Sequence, residues 1–549
     1  MSIQPASGRL ETARIEQNHQ AGYWHDEVVT DLLAKHAKDQ PDAIAIVDGE
    51  HRLSWSRLYQ LSQRFALHLR EFGVEPGDFV ALQMPNWMEY LVCYHGIRLS
   101  GGIVVQVGVD WRSTEMAYGF SIGPAKVAIV PREFLDFDYP ATLKNLRSNL
   151  PELEHVLVAR GEAPDGTISL DQKLADPIEE RIPVDTLRAC RSNPDQIIRI
   201  VFTSGTTGLP KAIMHTDNTL AHSGRVTRAD FKHDANDVIL MFVPFSTNYG
   251  AIMGLQLPMA SGASMVLMDR FSASGALDLI GRECVTYVPA TPTHFIALSN
   301  SSAIESARLE SLRLLLSAGA SFPVQSIKEL RQKFKTTFID SFGMNEFGMG
   351  FWCMPDDDPD EVDGSIGRTI AGVEARVVDA DGCIVPNGQT GELVIKSAGM
   401  CAGYFNQPEA NALAWDEDGW FRSGDLATMD DKGYFRVVGR SKDVIIRGGA
   451  NVSPREIEEI LTREPRIREV AVIGLPDEYY GEVVCACVIA KPGEPPTAEE
   501  IQAYLKPHIA SYKLPSRVVI LDEFPLNSMG KVRKDVLQER ITQSTDIRT

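Results

Sequence analysis

Long apolar runs are missing from this chain. Its longest, such as residues 483–490, are strand-sized and far short of the ~18 residues a bilayer-crossing helix needs, so no membrane span is expected. The first twenty residues are polar and lack the apolar core of a secretory signal, which makes a cytoplasmic protein the expectation. Basic charge is in deficit: 54 Lys and Arg stand against 74 Asp and Glu, for a net charge of −20. Such a field repels nucleic acid and anionic membrane, so neither is expected as a partner. Cysteine is sparse. Cys93, Cys190, Cys284, Cys353, Cys383, Cys401, Cys485 and Cys487 form no metal-binding spacing, and buried reduced thiols are expected rather than a disulfide framework. There is no internal repeat and no low-complexity tract.

What is present is α/β alternation over 549 residues, enough for three to four units at roughly 150 residues each. Ser54 caps a predicted helix whose apolar positions, from Trp55 to Phe72, recur every three or four residues until Gly73. Strands are expected at 79–84 and 103–109 with a helix between them, the order that builds a parallel sheet under helices. Residues 159–196 read as a polar surface connector, after which strands recur at 197–202, 237–243, 264–268 and 312–316. The acidic loop 356–361 reads as fully solvated. Beyond Gly372 the turns at Asp381-Gly382, Asn387-Gly388 and Asp431-Lys432-Gly433 mark a β-rich stretch. A final α+β unit carries a capping box at Ser453-Pro454-Arg455-Glu456, strands at 470–474 and 483–490 and a helix from Ala498.

The segment richest in chemistry is Thr203-Ser204-Gly205-Thr206-Thr207-Gly208-Leu209-Pro210-Lys211, between two apolar stretches. Hydroxyls and backbone N–H groups at this density can wrap phosphate oxygens, and Lys211 adds charge. It is not a P-loop, because G-K-[ST] is missing and no helix opens at its end. With the ordered motifs that follow it, this loop resembles the phosphate-binding signature of the adenylate-forming superfamily: acyl- and aryl-CoA synthetases, peptide-synthetase adenylation domains and firefly-type luciferases. The resemblance runs from about residue 30 to the C-terminus.

The resemblance implies a fold, reactants and roles. The expected architecture is a large α/β domain (residues 1–440) of two sheet subdomains plus a β-rich subdomain, joined to a small mobile α+β domain (441–549). ATP, Mg²⁺ and coenzyme A are the expected reactants and cofactors. Asp340-Ser341-Phe342-Gly343-Met344-Asn345-Glu346 resembles the family's adenine and magnesium motif, with Phe342 where Tyr is usual and Asn345 where Thr is usual. It implies that Asp340 and Ser341 lie near the adenine and that Phe342 stacks on it. Glu346, with Thr206, would hold Mg²⁺, an ion that prefers hard oxygen ligands. Ser317-Ala318-Gly319-Ala320 resembles the adenine-side turn, and the resemblance also places Ser317, with Phe347, on the acyl pocket. Asp425 matches the ribose-binding aspartate, a bidentate acceptor for a diol, and Arg440 the arginine on ribose and phosphate. Lys442 falls at the hinge, and Gly448 and Gly449 on the pantetheine tunnel. Lys531 matches the catalytic lysine, whose ammonium offsets charge developing on carboxylate and phosphate oxygens. Gly391-Glu392-Leu393 and Gly403-Tyr404 match structural motifs without chemistry.

Phe245, Ser246, Thr247, Asn248, Tyr249 and Gly250 resemble the acyl pocket. No acidic residue lies between Met241 and Leu257, so no α-ammonium is paired there and an amino acid substrate is disfavoured. Thr247 replaces the usual His or aromatic gate. Asn248 is a candidate partner for a ring hydroxyl, and Phe245, Tyr249, Phe342, Phe347 and Phe351 suggest a slot for an aromatic or alicyclic carboxylate. The expected activity is an AMP-forming acid–thiol ligase making acyl-AMP and then acyl-CoA. Loading of a carrier protein by an aryl-acid adenylating enzyme is the alternative, and homodimerisation is left open.

Overall fold

The computed structural model describes residues 10–203, 210–320, 322–448, 450–477, 479–527 and 530–543. Most of the chain forms two α/β sheets. The seven-stranded sheet runs in the order 212–216, 197–202, 103–106, 79–82, 127–131, 155–159, 168–169, parallel except for its first strand. The nine-stranded sheet runs 368–369, 348–352, 337–344, 314–317, 287–290, 238–241, 264–267, 44–48, 51–54, with a parallel centre and antiparallel margins. Strands Phe79–Leu82, Ile103–Gln106 and Val127–Pro131 are buried at every position, as central parallel strands covered on both faces must be. An antiparallel four-stranded sheet spans 373–440. A five-stranded sheet spanning 445–520 carries its own two apolar cores. This is the architecture expected from the sequence, and among the described residues no helix is long and apolar enough to cross a membrane.

The local signals act as expected in several places. Ser54 Oγ accepts from Arg57 N at 3.3 Å and starts helix Trp55–Glu71, and Gly73 follows its end at φ 77°. Cys485 and Cys487 share one buried face of strand Gly481–Ala490.

Other expectations are corrected by tertiary contacts. Ser453 makes no side-chain cap on helix Pro454–Leu461; its hydroxyl donates instead to Val438 O at 2.6 Å, tying the helix to the preceding sheet. The connector is no loose surface segment, since Ile178 and Leu187 pack against Ala66 and Leu67. The acidic loop is not fully solvated. Asp357 accepts from the Tyr434 hydroxyl at 2.8 Å and from Met354 N at 2.7 Å, so its carboxylate closes the turn. Cys284 and Cys383 are exposed, not buried.

One buried carboxylate aligns the centre of the nine-stranded sheet. Asp237, just before strand Val238–Met241, accepts from Arg313 Nε at 2.7 Å and Thr286 Oγ1 at 2.6 Å, and lies 2.9 Å from His233 Nδ1. Thr286 and Arg313 precede strands Tyr287–Ala290 and Leu314–Ser317, so three strand starts converge on this side chain. Burial pushes the Asp237 carboxyl up, but its hydrogen bonds outweigh that and hold it well below the usual range. Asp237→Ala is expected to lower the stability of the large domain by about 1–3 kcal/mol in urea at neutral pH, the cost of stranding its partners. Because the folded carboxyl titrates below its unfolded value of about 3.9, wild type loses this advantage as pH falls below that point, and the two proteins then converge.

Candidate functional site

The candidate residues gather where the two large sheets meet the four-stranded sheet. Strand Ile197–Phe202 pairs antiparallel with Ala212–Thr216. The loop joining them closes at its base, where Thr203 N donates to Lys211 O at 3.0 Å and Lys211 N to Thr203 Oγ1 at 3.1 Å. Ser204, Gly205, Thr206, Thr207 and Gly208 lie outside the described residues, as does Gly449. The Lys211 ammonium stands 4.5 Å from the Tyr404 ring centroid, and the Tyr404 hydroxyl donates to Glu346 Oε1 at 2.9 Å. Burial raises the Glu346 carboxyl, opposed by Tyr404, Lys211 and Arg440. Tyr404, to which the sequence assigned no chemistry, is therefore what positions Glu346. Among the described residues no group of three or more His, Cys, Asp or Glu could hold a metal alone. A lone carboxylate suits an ion that arrives with phosphate oxygens and water.

Strands Leu314–Ser317 and Thr337–Met344 lie side by side with Ser317 opposite Asp340, which brings the two adenine-side motifs together. Ser317 Oγ and Asp340 Oδ1 are buried and adjoin each other, with no other hydrogen-bond partner among the described residues. Burial pushes the Asp340 carboxyl up to about 7. Ala318 is buried with its N–H on Ala290 O at 3.1 Å, while Gly319 and Ala320 are progressively more open. Phe342 is half-buried and flanked by Phe347 at 6.1 Å and Phe351 at 5.7 Å. Gly343 is required where Thr337–Met344 turns back on Gly348–Trp352, because a Cβ there would stand 2.3 Å from Gly348 O.

Asp425 and Arg440 face each other across two antiparallel strands, with Arg440 Nε donating to Asp425 Oδ1 at 3.0 Å. Asp425 Oδ2 is buried and unpartnered among the described residues. Lys531 is half-buried nearby; burial and Arg440 push its ammonium down to about 8, partly opposed by Asp425. Asn527 Oδ1 accepts from Lys531 N at 3.0 Å and shapes this turn. Lys442 lies in the short 3₁₀ turn Ser441–Asp443, whose Ser441 hydroxyl donates to Gly424 O at 3.1 Å. Gly448 adopts φ 56° beneath Tyr480.

The acyl-side turn is built differently from the sequence expectation. Asn248 does not present its amide to a ligand: its Oδ1 accepts from Arg199 Nη1 at 2.6 Å and its Nδ2 donates to Asn345 O at 3.2 Å. Tyr249 donates to Leu316 O at 2.8 Å, and Thr247 Oγ1 bonds within its own turn. Phe245, Phe347 and Phe351 are fully buried, which leaves Phe342 the most open of the five aromatic residues. Gly250 has no room for a side chain, since a Cβ would fall 2.1 Å from Pro244 O.

Arg199 is the residue the sequence reading missed. It interrupts an apolar strand, is 0% exposed and forms no ion pair with a described residue. Its Nε bonds Gln106 Oε1, and its Nη2 donates to Thr247 O at 3.2 Å. Desolvation pulls the guanidinium down to about 10. The only clue in sequence was a charge inside the stretch 197–202. Arg199→Met should cost about 2–4 kcal/mol in denaturant, because Asn248 Oδ1 and Gln106 Oε1 lose their donor in a dry site. An unchanged unfolding midpoint would mean water takes over those contacts.

Comparison with known proteins agrees with this assembly. The family model described as AMP-binding enzyme matches residues 33–405, and that for the AMP-binding enzyme C-terminal domain matches 456–531. A medium-chain fatty-acid–CoA ligase of Escherichia coli (strain K12) is 32% identical over 527 residues, covering 95% of this chain and 92% of the relative. The 3-[(3aS,4S,7aS)-7a-methyl-1,5-dioxo-octahydro-1H-inden-4-yl]propanoyl:CoA ligase of Rhodococcus jostii (strain RHA1) is 31% identical, covering 92% and 97%. Among solved structures, ATP-bound MatB from Rhodopseudomonas palustris superposes with TM-score 0.84 at 28% identity, covering 94% of this chain and 99% of that one. The anthranilate CoA ligase AuaEII with anthranoyl-AMP gives 0.87 at 27% identity, covering 95% and 98%.

Proposed function

The chain belongs to the AMP-binding enzyme family and is an ATP-dependent, adenylate-forming carboxylate ligase; we propose that its acid is an aromatic or alicyclic carboxylate with no second charge on its ring and that its acceptor is coenzyme A. The observation that carries the choice of acid is the acyl-side turn. The side-chain polar groups of Thr247, Asn248 and Tyr249 are all engaged internally, and no acidic residue stands in the segment, so this wall offers a substrate apolar surface without a charge partner. The bicyclic propanoate and the anthranoyl group in the names of two relatives support a ring-bearing acid.

In the first step a carboxylate oxygen attacks the α-phosphorus of ATP and pyrophosphate leaves. Asp425 Oδ2, lacking a partner, is suited to accept from a ribose hydroxyl, while Arg440 steers Asp425 and adds charge beside the phosphates. Phe342 offers its half-open face to the adenine. Glu346, held by Tyr404, would hold Mg²⁺ with Thr206, and the ion would neutralise phosphate charge. The Lys531 ammonium would stabilise charge shared between carboxylate and phosphate oxygens. In the second step a thiolate attacks the acyl carbonyl and AMP leaves. We assign the large domain to residues 1–440 and the small domain to 441–549, with Lys442 as the pivot that withdraws Lys531 and brings Gly448 and Gly449 to the thiol path.

Pyrophosphate release, measured with ATP, Mg²⁺ and a panel of aryl, alicyclic, medium-chain and dicarboxylic acids, is expected to be highest for a ring acid and catalytic only with coenzyme A. Preference for a dicarboxylate would contradict the apolar pocket, and a single burst that coenzyme A does not turn over would point to a protein-borne thiol. The kcat/KM for adenylate formation should fall above pH about 8, as the free enzyme's Lys531 loses its proton. Lys531→Arg, charged throughout, should lack that limb even if its rate is low.

A further inference from the structure

The turn that carries Lys531 is seated on the large domain by a residue outside every motif of the site. Thr293 is the second residue of helix Pro292–Asn300, and its Oγ1 donates to Gly530 O at 2.8 Å, one residue before Lys531. Gly530 adopts φ 72°, and the position of a Cβ there lies 3.4–3.6 Å from the side-chain atoms of Thr293, so the two surfaces are in contact. Within the turn, Gly530 N donates to Asn527 O at 2.8 Å and Lys531 N to Asn527 Oδ1 at 3.0 Å. Asn527, Gly530 and Lys531 are therefore tied to one another, and a bond on the Gly530 carbonyl places Lys531 with them.

We propose that Thr293 is a positioning residue for adenylate formation: its hydroxyl latches the Lys531 turn against the large domain, and the thioester step requires that bond to break. The proposal rests on the two-step ligase reading above. The bond exists only while the lysine is in the site, so its loss weakens one half-reaction and not the other. A neutral hydrogen bond of this kind corresponds to roughly a three- to tenfold effect. A residue that only supported the fold would lower both halves together.

The test compares wild type with Thr293→Val, which removes the donor at equal volume, and Thr293→Ser, which keeps it. Acid-dependent ATP–pyrophosphate exchange reads the first step. Conversion of supplied acyl-AMP and coenzyme A to acyl-CoA reads the second. Trypsin cleavage after Lys531 and Arg533 reads docking of the turn without any acid present. Thr293→Val is expected to lose roughly three- to tenfold in exchange, keep or exceed the wild-type rate from supplied acyl-AMP, and cleave faster at the turn, while Thr293→Ser behaves as wild type. Equal losses in both half-reactions, an unchanged exchange rate, or a serine variant as impaired as valine would overturn the proposal. Absence of exchange in wild type with every acid would defeat the ligase reading itself, and trypsin would still report whether Thr293 holds the turn.

Discussion

The site depends on a buried cation placed between two sheets. Arg199 stands on the strand next to one edge of the seven-stranded sheet, bonds Gln106 on the neighbouring strand, and reaches Thr247 and Asn248 beyond the end of a strand in the nine-stranded sheet. Asn248 passes the contact to Asn345 O, which His215 Nε2 also approaches at 2.8 Å. One polar seam thus fixes the acyl-side turn, the segment before Glu346 and the strand leading into the phosphate loop. Moving a charge into a dry interior is costly, and its donors are matched here by amide and carbonyl oxygens rather than a carboxylate. Such an arrangement tolerates little displacement of its partners, which is what a site assembled from separate sheets requires.

Above that seam the charged groups are arranged for a polyanion. Lys211, Arg440 and Lys531 converge from three different elements, and the carboxylates of Glu346 and Asp425 are held by one designated partner each, Tyr404 and Arg440. Desolvation raises the carboxyls of Glu346 and Asp425 and lowers the Lys531 ammonium, so the charged groups here are held largely away from water. Lys531 comes from the small sheet's side of the molecule, so its presence in the site depends on inter-domain contacts, of which the Thr293–Gly530 bond is one.

Much of this was legible in sequence because it is local. Helix Trp55–Glu71 follows from its apolar period and its serine cap, and the strands around Thr203 and Asp340 follow from apolar runs ended by small residues. The ordered motifs pointed to Glu346, Asp425, Arg440 and Lys531, which interact with one another although they are far apart in the chain. What escaped depends on partners distant in the chain. Ser453 looks like a helix cap until Val438 O is close enough to take its hydroxyl. Asn248 looks like a substrate contact until Arg199, 49 residues away, occupies its oxygen. A lone arginine in an apolar strand carries no periodic signal, and Thr293 belongs to no motif.

Activation of the carboxylate is the step on which the chemistry turns, and an isotope reports it directly. With the preferred acid labelled by ¹⁸O in its carboxylate, turnover with ATP, Mg²⁺ and coenzyme A should leave one labelled oxygen in the AMP released, because that oxygen bridged carbon and α-phosphorus. Label in orthophosphate alongside ADP, or AMP carrying no label, would contradict activation through an acyl-adenylate.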